Sequence, residues 1–187
     1  MAILYGIKKV VLTELDPKTG KPPVGSDGVI CEIATAEEAT LTPVLSEGSE
    51  EILRSYEKIL AVVKTDDLLY GYDITYKDNS FDEKVAGLVA GYKVTYDSVE
   101  TTKVKTIATP MMEEGFLGKP FKIEMYIPNY KGTAIINYAK ISLNYCIGKF
   151  PEMKIGKEFY APEFEVKARE NTAAKLPIKS VEFVDSL

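Results

Sequence analysis

Paired carboxylates are the residues of this sequence that come nearest to catalytic chemistry. Glu163 and Glu165 fall on one face of a period-two segment, about 6.5 Å apart along a strand, which is a spacing that an acid and a base of a glycosidase could use. Asp66 and Asp67 form a second pair. Any solvated strand carries such pairs, however, and no cleft signature accompanies either. The run Asp78-Asn79-Ser80-Phe81-Asp82-Glu83 starts like a calcium loop, but Glu83 stands where that loop needs glycine and Val89 where it needs its bidentate carboxylate. Gly25-Ser26-Asp27-Gly28 has the glycines of a phosphate loop without its Gly-Lys-Ser/Thr ending, and reads as a turn. Tyr70, Tyr72, Tyr76, Tyr92 and Tyr96 could stack a sugar ring; at strand spacing, shared with Ile74 and Val94, they read first as packing residues.

Composition removes most other chemistry. The chain has 187 residues and no His, so it has no imidazole triad, imidazole zinc site or neutral-pH imidazole relay. With Arg only at 54 and 169 and a net charge of −5, it lacks the basic face that gripping nucleic acid requires. Cys31 and Cys146 lie too far apart for a metal motif and read as buried apolar thiols. Neither catalytic residues, a cofactor site nor a metal site is readable. Met1 leads into a Lys-punctuated segment with no cleavage site, and apolar runs are short, so we read no signal peptide, no membrane span and a cytosolic origin.

The elements that would position these residues are mainly β. Residues 1–187 read as one domain, 45% hydrophobic and able to bury a core. Ile3 to Leu15 is a strand region that stops at the turn cluster 16–23. Val29 to Ile33 is one short strand within a long loop or arm at about 16–49. Glu51 to Ser55, Lys58 to Thr65 and Leu68 to Lys77 follow as strands, and a second long loop spans about 97–119. Alternation marks Phe121 to Ile127, Lys140 to Tyr145 and Glu163 to Arg169, and Lys179 to Asp185 gives a last short strand. One short helix, about Phe81 to Ala90, is expected to be capped by a box of Ser80 with Glu83 and stopped by Gly91. The fold class is a sandwich or partly closed barrel with one flanking helix.

Beyond these patterns, the order of several pieces resembles the tail tube (major tail) proteins of long-tailed bacteriophages of Gram-positive bacteria. They are the stretch from Gly71-Tyr72-Asp73-Ile74 to Asn79-Ser80-Phe81-Asp82, then Phe121-Lys122-Ile123-Glu124-Met125-Tyr126, then Tyr138-Ala139-Lys140-Ile141 leading to Asn144-Tyr145-Cys146, then Phe159-Tyr160-Ala161-Pro162-Glu163-Phe164-Glu165-Val166-Lys167-Ala168-Arg169, and the ending Val181-Glu182-Phe183-Val184-Asp185. Asp16 to Ser49 and Asp97 to Lys119 depart from that pattern.

The resemblance implies two crossed antiparallel sheets flanked by a helix, in copies that assemble into hexameric rings stacked as a tube in the virion tail. The partners it implies are the chain itself, tape measure and tail terminator or initiator proteins, and phage DNA that passes without being bound. Duplex DNA carries one charge per roughly 1.7 Å and would be held by a basic wall, so an acidic or neutral bore suits its passage. The candidates for that wall are Asp73, Glu124, Glu163 and Glu165. Deleting Val24 to Ser49 is then expected to weaken ring stacking more than the fold. Two alternatives remain open. One is the tube of a contractile injection system or phage-tail-like bacteriocin; the other is a carbohydrate-binding or capsid-decorating β-sandwich using the tyrosines.

Overall fold

The computed structural model describes residues 3–25, 28–34, 36–56, 58–78, 82–97, 103–115, 118–149 and 163–187. The first strands are β1 (Ile3–Leu4), β2 (Lys9–Glu14), β3 (Ile30–Ile33), β4 (Ala36–Ser46), β5 (Glu50–Ser55), β6 (Lys58–Lys64) and β7 (Leu68–Asp78). After α1 (Glu83–Ala90) come β8 (Lys93–Tyr96), β9 (Val104–Ala108), β10 (Phe121–Lys131), β11 (Ala134–Gly148), β12 (Glu163–Ala168) and β13 (Lys179–Val184).

Nine strands make one antiparallel sheet in the order β3-β2-β10-β11-β12-β7-β4, with β1 joined to β10 and β13 to β11. The other strands form two ribbons, β5-β6 and β8-β9. One edge of β11 pairs with β10. Its other edge is shared, with Tyr138 to Leu143 against β13 and Cys146 to Gly148 against β12. The sheet therefore folds about β11. Val10, Leu12, Phe121, Ile123 and Met125 from one limb meet Ile74, Tyr76, Phe164 and Val166 from the other in a single core. The two limbs are thus hydrogen-bonded into one sheet through β11, and its path ends at β3 and β4 without closing as a barrel.

The helix closes this core with Val85, Leu88 and Val89. Its cap differs from the expected box. Asp82 is the N-cap, accepting from the amides of Lys84 at 2.7 Å and Val85 at 3.3 Å, and Glu83 is only the first helical residue. Ser80 and Phe81 lie outside the described residues. A carboxylate at position 82 satisfies the orphan amides as well as a hydroxyl would, and starting the helix there points Val85 and Val89 inward. Gly91 is the C-terminal stop, at φ 71°. A Cβ on Gly148 would lie 2.2 Å from the carbonyl oxygen of Val89, so only glycine lets this helix end sit on β11.

Both cysteines are buried, in accord with their reading as apolar thiols. Desolvation, with Asp82 adding to it, pushes the Cys31 thiol up to about 11; burial raises Cys146 as well.

The stretch read as a loop or arm at 16–49 holds two strands. It supplies β3, whose Cys31 and Ile33 are core residues, and β4, which pairs with β7 over its length. Deleting Val24 to Ser49 would remove core and an edge strand, so the protrusion must be sought elsewhere. Thr, Ala and Glu with Pro43 disguise β4, but an edge strand tolerates proline because an amide facing away from the sheet has no ladder partner to lose. Likewise β9 and a 3-10 turn at Met112–Glu114 occupy part of the second loop, 97–119. Residues 150–162, which hold Phe159 to Pro162 of the Phe159 to Arg169 piece, lie outside the described residues, and the piece continues as β12 from Glu163.

One buried polar residue ties three segments together. The side-chain amide of Asn171 donates to the carbonyls of Gly20 at 2.8 Å and Asn144 at 3.1 Å, and its oxygen accepts from the Ala174 amide at 3.1 Å. Asn171→Ala would strand two buried carbonyls, and we expect a loss of about 2–3 kcal/mol, read as a lower urea midpoint at unchanged slope. A midpoint equal to wild type would show that water replaces these bonds.

Candidate assembly surfaces

The paired glutamates do not line a cleft. On β7 and β12 the even-numbered residues from Tyr72 to Tyr76 and Phe164 to Ala168 turn toward the core, so Asp73, Glu163 and Glu165 share the opposite face. That face is an open sheet surface. Across it each carboxylate meets a cation: Glu163 is in register with Lys77, Glu165 holds the ammonium of Lys149 at 2.6 Å, and Asp73 lies 3.5 Å from Arg169. Lys149 is raised from its ordinary value by that hydrogen bond to Glu165. Glu38 and Lys167 complete a face with as many cations as carboxylates among the described residues.

Glu124 is not part of it. It lies on the outer face of the other limb, 2.7 Å from Lys122 and 4.0 Å from Lys140. There Lys9 pairs with Glu32 at 2.9 Å and Lys140 with Glu182 at 2.6 Å. The shared hydrogen bond raises Lys140 and lowers Glu182. Among the described residues both outer faces are thus charge-balanced rather than acidic, because cross-strand neighbours of opposite sign pair within each limb.

The tyrosines do not gather as a platform. Tyr76 stacks on Phe164 inside the core, at 6.3 Å between ring centroids. Tyr70 lies under the Arg169 guanidinium at 5.0 Å and Tyr72 under the Lys179 ammonium at 4.8 Å. Tyr92 and Tyr96 are elsewhere, in a groove of about 570 Å³ between α1, β8 and the start of β3. At the edge of that groove buried Glu14 bonds Lys119 at 2.6 Å and accepts from the Val29 amide at 3.2 Å. Among the described residues no group of His, Cys, Asp and Glu could hold a metal ion, and no helix is long and apolar enough to cross a membrane.

What stands out is the β5-β6 ribbon, which continues the β4-β7 pair outward. Residues 47–67 form an arm whose described members are exposed, apart from a half-buried Gly48. Its base is locked: the Ser49 amide donates to Thr65 Oγ1 at 2.7 Å, the Thr65 amide to the Ser49 carbonyl at 2.9 Å, and the Gly48 amide to Asp67 Oδ1 at 2.8 Å. Asp67, one of the paired carboxylates, therefore serves a turn. Cross-strand partners Ile52 and Val62 lie on one face of the ribbon, and Leu53 with Ala61 on the other. Leu53 is 61% exposed, Leu60 60% and Val63 61%.

The sequence located β5 and β6 but not this exposure. Ile59-Leu60-Ala61-Val62-Val63 is an unbroken apolar run of the kind that strands buried on both faces carry, and it stands here in solvent. No protein-family model and no curated protein matches the chain.

Proposed function

We propose that this chain is a structural protein that tiles with copies of itself, as the tail tube proteins it resembles do, in stacked rings around a bore through which DNA passes. The exposed arm carries this reading. A two-stranded ribbon is marginal by itself in water, and an apolar patch of this extent on a monomer marks an interaction surface. Because both faces of the ribbon are apolar, lying on one surface would leave the other wet. The arm therefore fits between two bodies. If those bodies are further copies, each chain donates one arm and receives others, and such a heterologous contact, when it does not close, propagates as a filament.

The charge-balanced face that holds Asp73, Glu163 and Glu165 suits the wall of such a bore. Ion pairs already made across the strands leave few free cations to exchange with the counterions of DNA, so the duplex is not braked. Glu124, on the other limb, does not share that wall in this reading. Tape measure and terminator or initiator proteins are the further partners that it implies, and the virion tail is the place of action.

Negative-stain electron microscopy of concentrated purified protein tests the proposal. Rings or tubes are expected. Particles that sediment as monomers at the highest attainable concentration, with the arm still exposed to limited proteolysis, would overturn it.

A further inference from the structure

At Gly71 the sheet loses its hold on β7. Strand β12 ends at Ala168, opposite Tyr72, so from Gly71 to Leu68 β7 keeps only β4 as a neighbour. There too the β4 register slips, between Val44 and Leu45. A ribbon leaving the body at a point where one neighbour stops and the other bulges would hinge there. The side chain of Arg169 occupies the place that the missing strand would take. Its Nη1 donates to the carbonyls of Ala168 at 2.8 Å and Tyr72 at 3.5 Å, Nη2 lies 3.5 Å from Asp73 Oδ1, and the guanidinium covers the ring of Tyr70. Its own backbone amide donates to Tyr145 on β11 at 2.9 Å, so the grip is anchored in the body. Gly71 is the seat: a Cβ there would come within 2.3 Å of Nη1 and 2.5 Å of the Ala168 carbonyl. From β13, Lys179 lies over the ring of Tyr72.

We propose that Arg169 is the positioning residue of the arm, a pin seated on Gly71 that sets the direction in which residues 47–67 leave the sheet. The flat fork of arginine, rather than charge alone, makes this possible, because it stacks on Tyr70 while donating along its edge. A pinned arm reaches a neighbour already oriented and loses less freedom on docking. The inference rests on the proposed assembly only for that consequence; the pin itself belongs to the single chain.

The test uses the full chain with spin labels on Ser55→Cys and Thr172→Cys, the native thiols being buried. Wild type should give a narrow tip-to-body distance distribution and slow amide exchange at 70–72. Arg169→Ala should at least double the width, speed that exchange ~10-fold and raise the concentration needed for assembly by a similar factor. Arg169→Lys should fall between, keeping the cation over Tyr70 but not the fork. Gly71→Ala, with Arg169 present but unseated, should broaden the distribution as Arg169→Ala does. An unchanged distribution and exchange in Arg169→Ala would overturn the pin. So would a lower urea midpoint with the arm still narrow, which is what a merely structural arginine would give. If the arm broadens as stated but no variant nor wild type ever assembles, the pin stands and the tiling proposal falls.

Discussion

A chain in which an Asn-Gly turn joins Ser46 directly to Leu68 is expected to fold as wild type does and to stay monomeric where wild type assembles. Ser46 and Leu68 are cross-strand partners, so a two-residue turn closes the β4-β7 hairpin without altering its register. No described residue of 47–67 belongs to the core, and the circular-dichroism spectrum and urea midpoint should change little. Assembly should suffer far more. Covering even two leucine-sized side chains contributes about 3–6 kcal/mol, and about 1.4 kcal/mol is tenfold in concentration, so the threshold for rings or tubes should rise at least ~100-fold. Sedimentation velocity across a concentration series reads it. Tubes forming as readily without the arm would move stacking to another surface; collapse of the β spectrum would make the arm part of the fold.

Reversing the balanced face has the second large effect. In Glu163→Lys/Glu165→Lys tubes, two cations replace carboxylates that now offset Lys77 and Lys149. Wild-type tubes should retain no duplex DNA at 50 mM salt. The variant should retain it there and release it by 200 mM, since about 6–10 phosphate contacts lose about 10³–10⁵ in affinity over that range. Nuclease digestion locates the DNA: protection places this face in the bore, whereas complete digestion of retained DNA places it outside. A variant that assembles and retains none would remove the face from the DNA path.

Part of this protein was legible along the chain. Period-two alternation placed β7, β10 and β12 within a residue or so at their starts, because a strand with one covered face must repeat every second residue whatever covers it. The helix and its glycine stop were legible for the same local reason, although Asp82 rather than Ser80 makes the cap. Strand β4 was not, since an edge strand has neither two covering neighbours nor a need for every amide, and so accepts the polar residues and proline that signal a loop.

The candidate surfaces depended on neighbours distant in sequence. That Asp73, Glu163 and Glu165 share a face while Glu124 does not follows from the register of β12 on β7 and from the fold about β11. The neutrality of that face follows from Lys77, Lys149 and Arg169 arriving beside the acids. The amino-acid order alone settled where β7, β10 and β12 begin and which chemistry is excluded by a chain without histidine, while the unbroken apolar run of β6 calls for cover on both sides. Only the tertiary structure showed that this cover is missing within one chain, because alternation reports how a segment faces its surroundings and carries no record of which surroundings it meets.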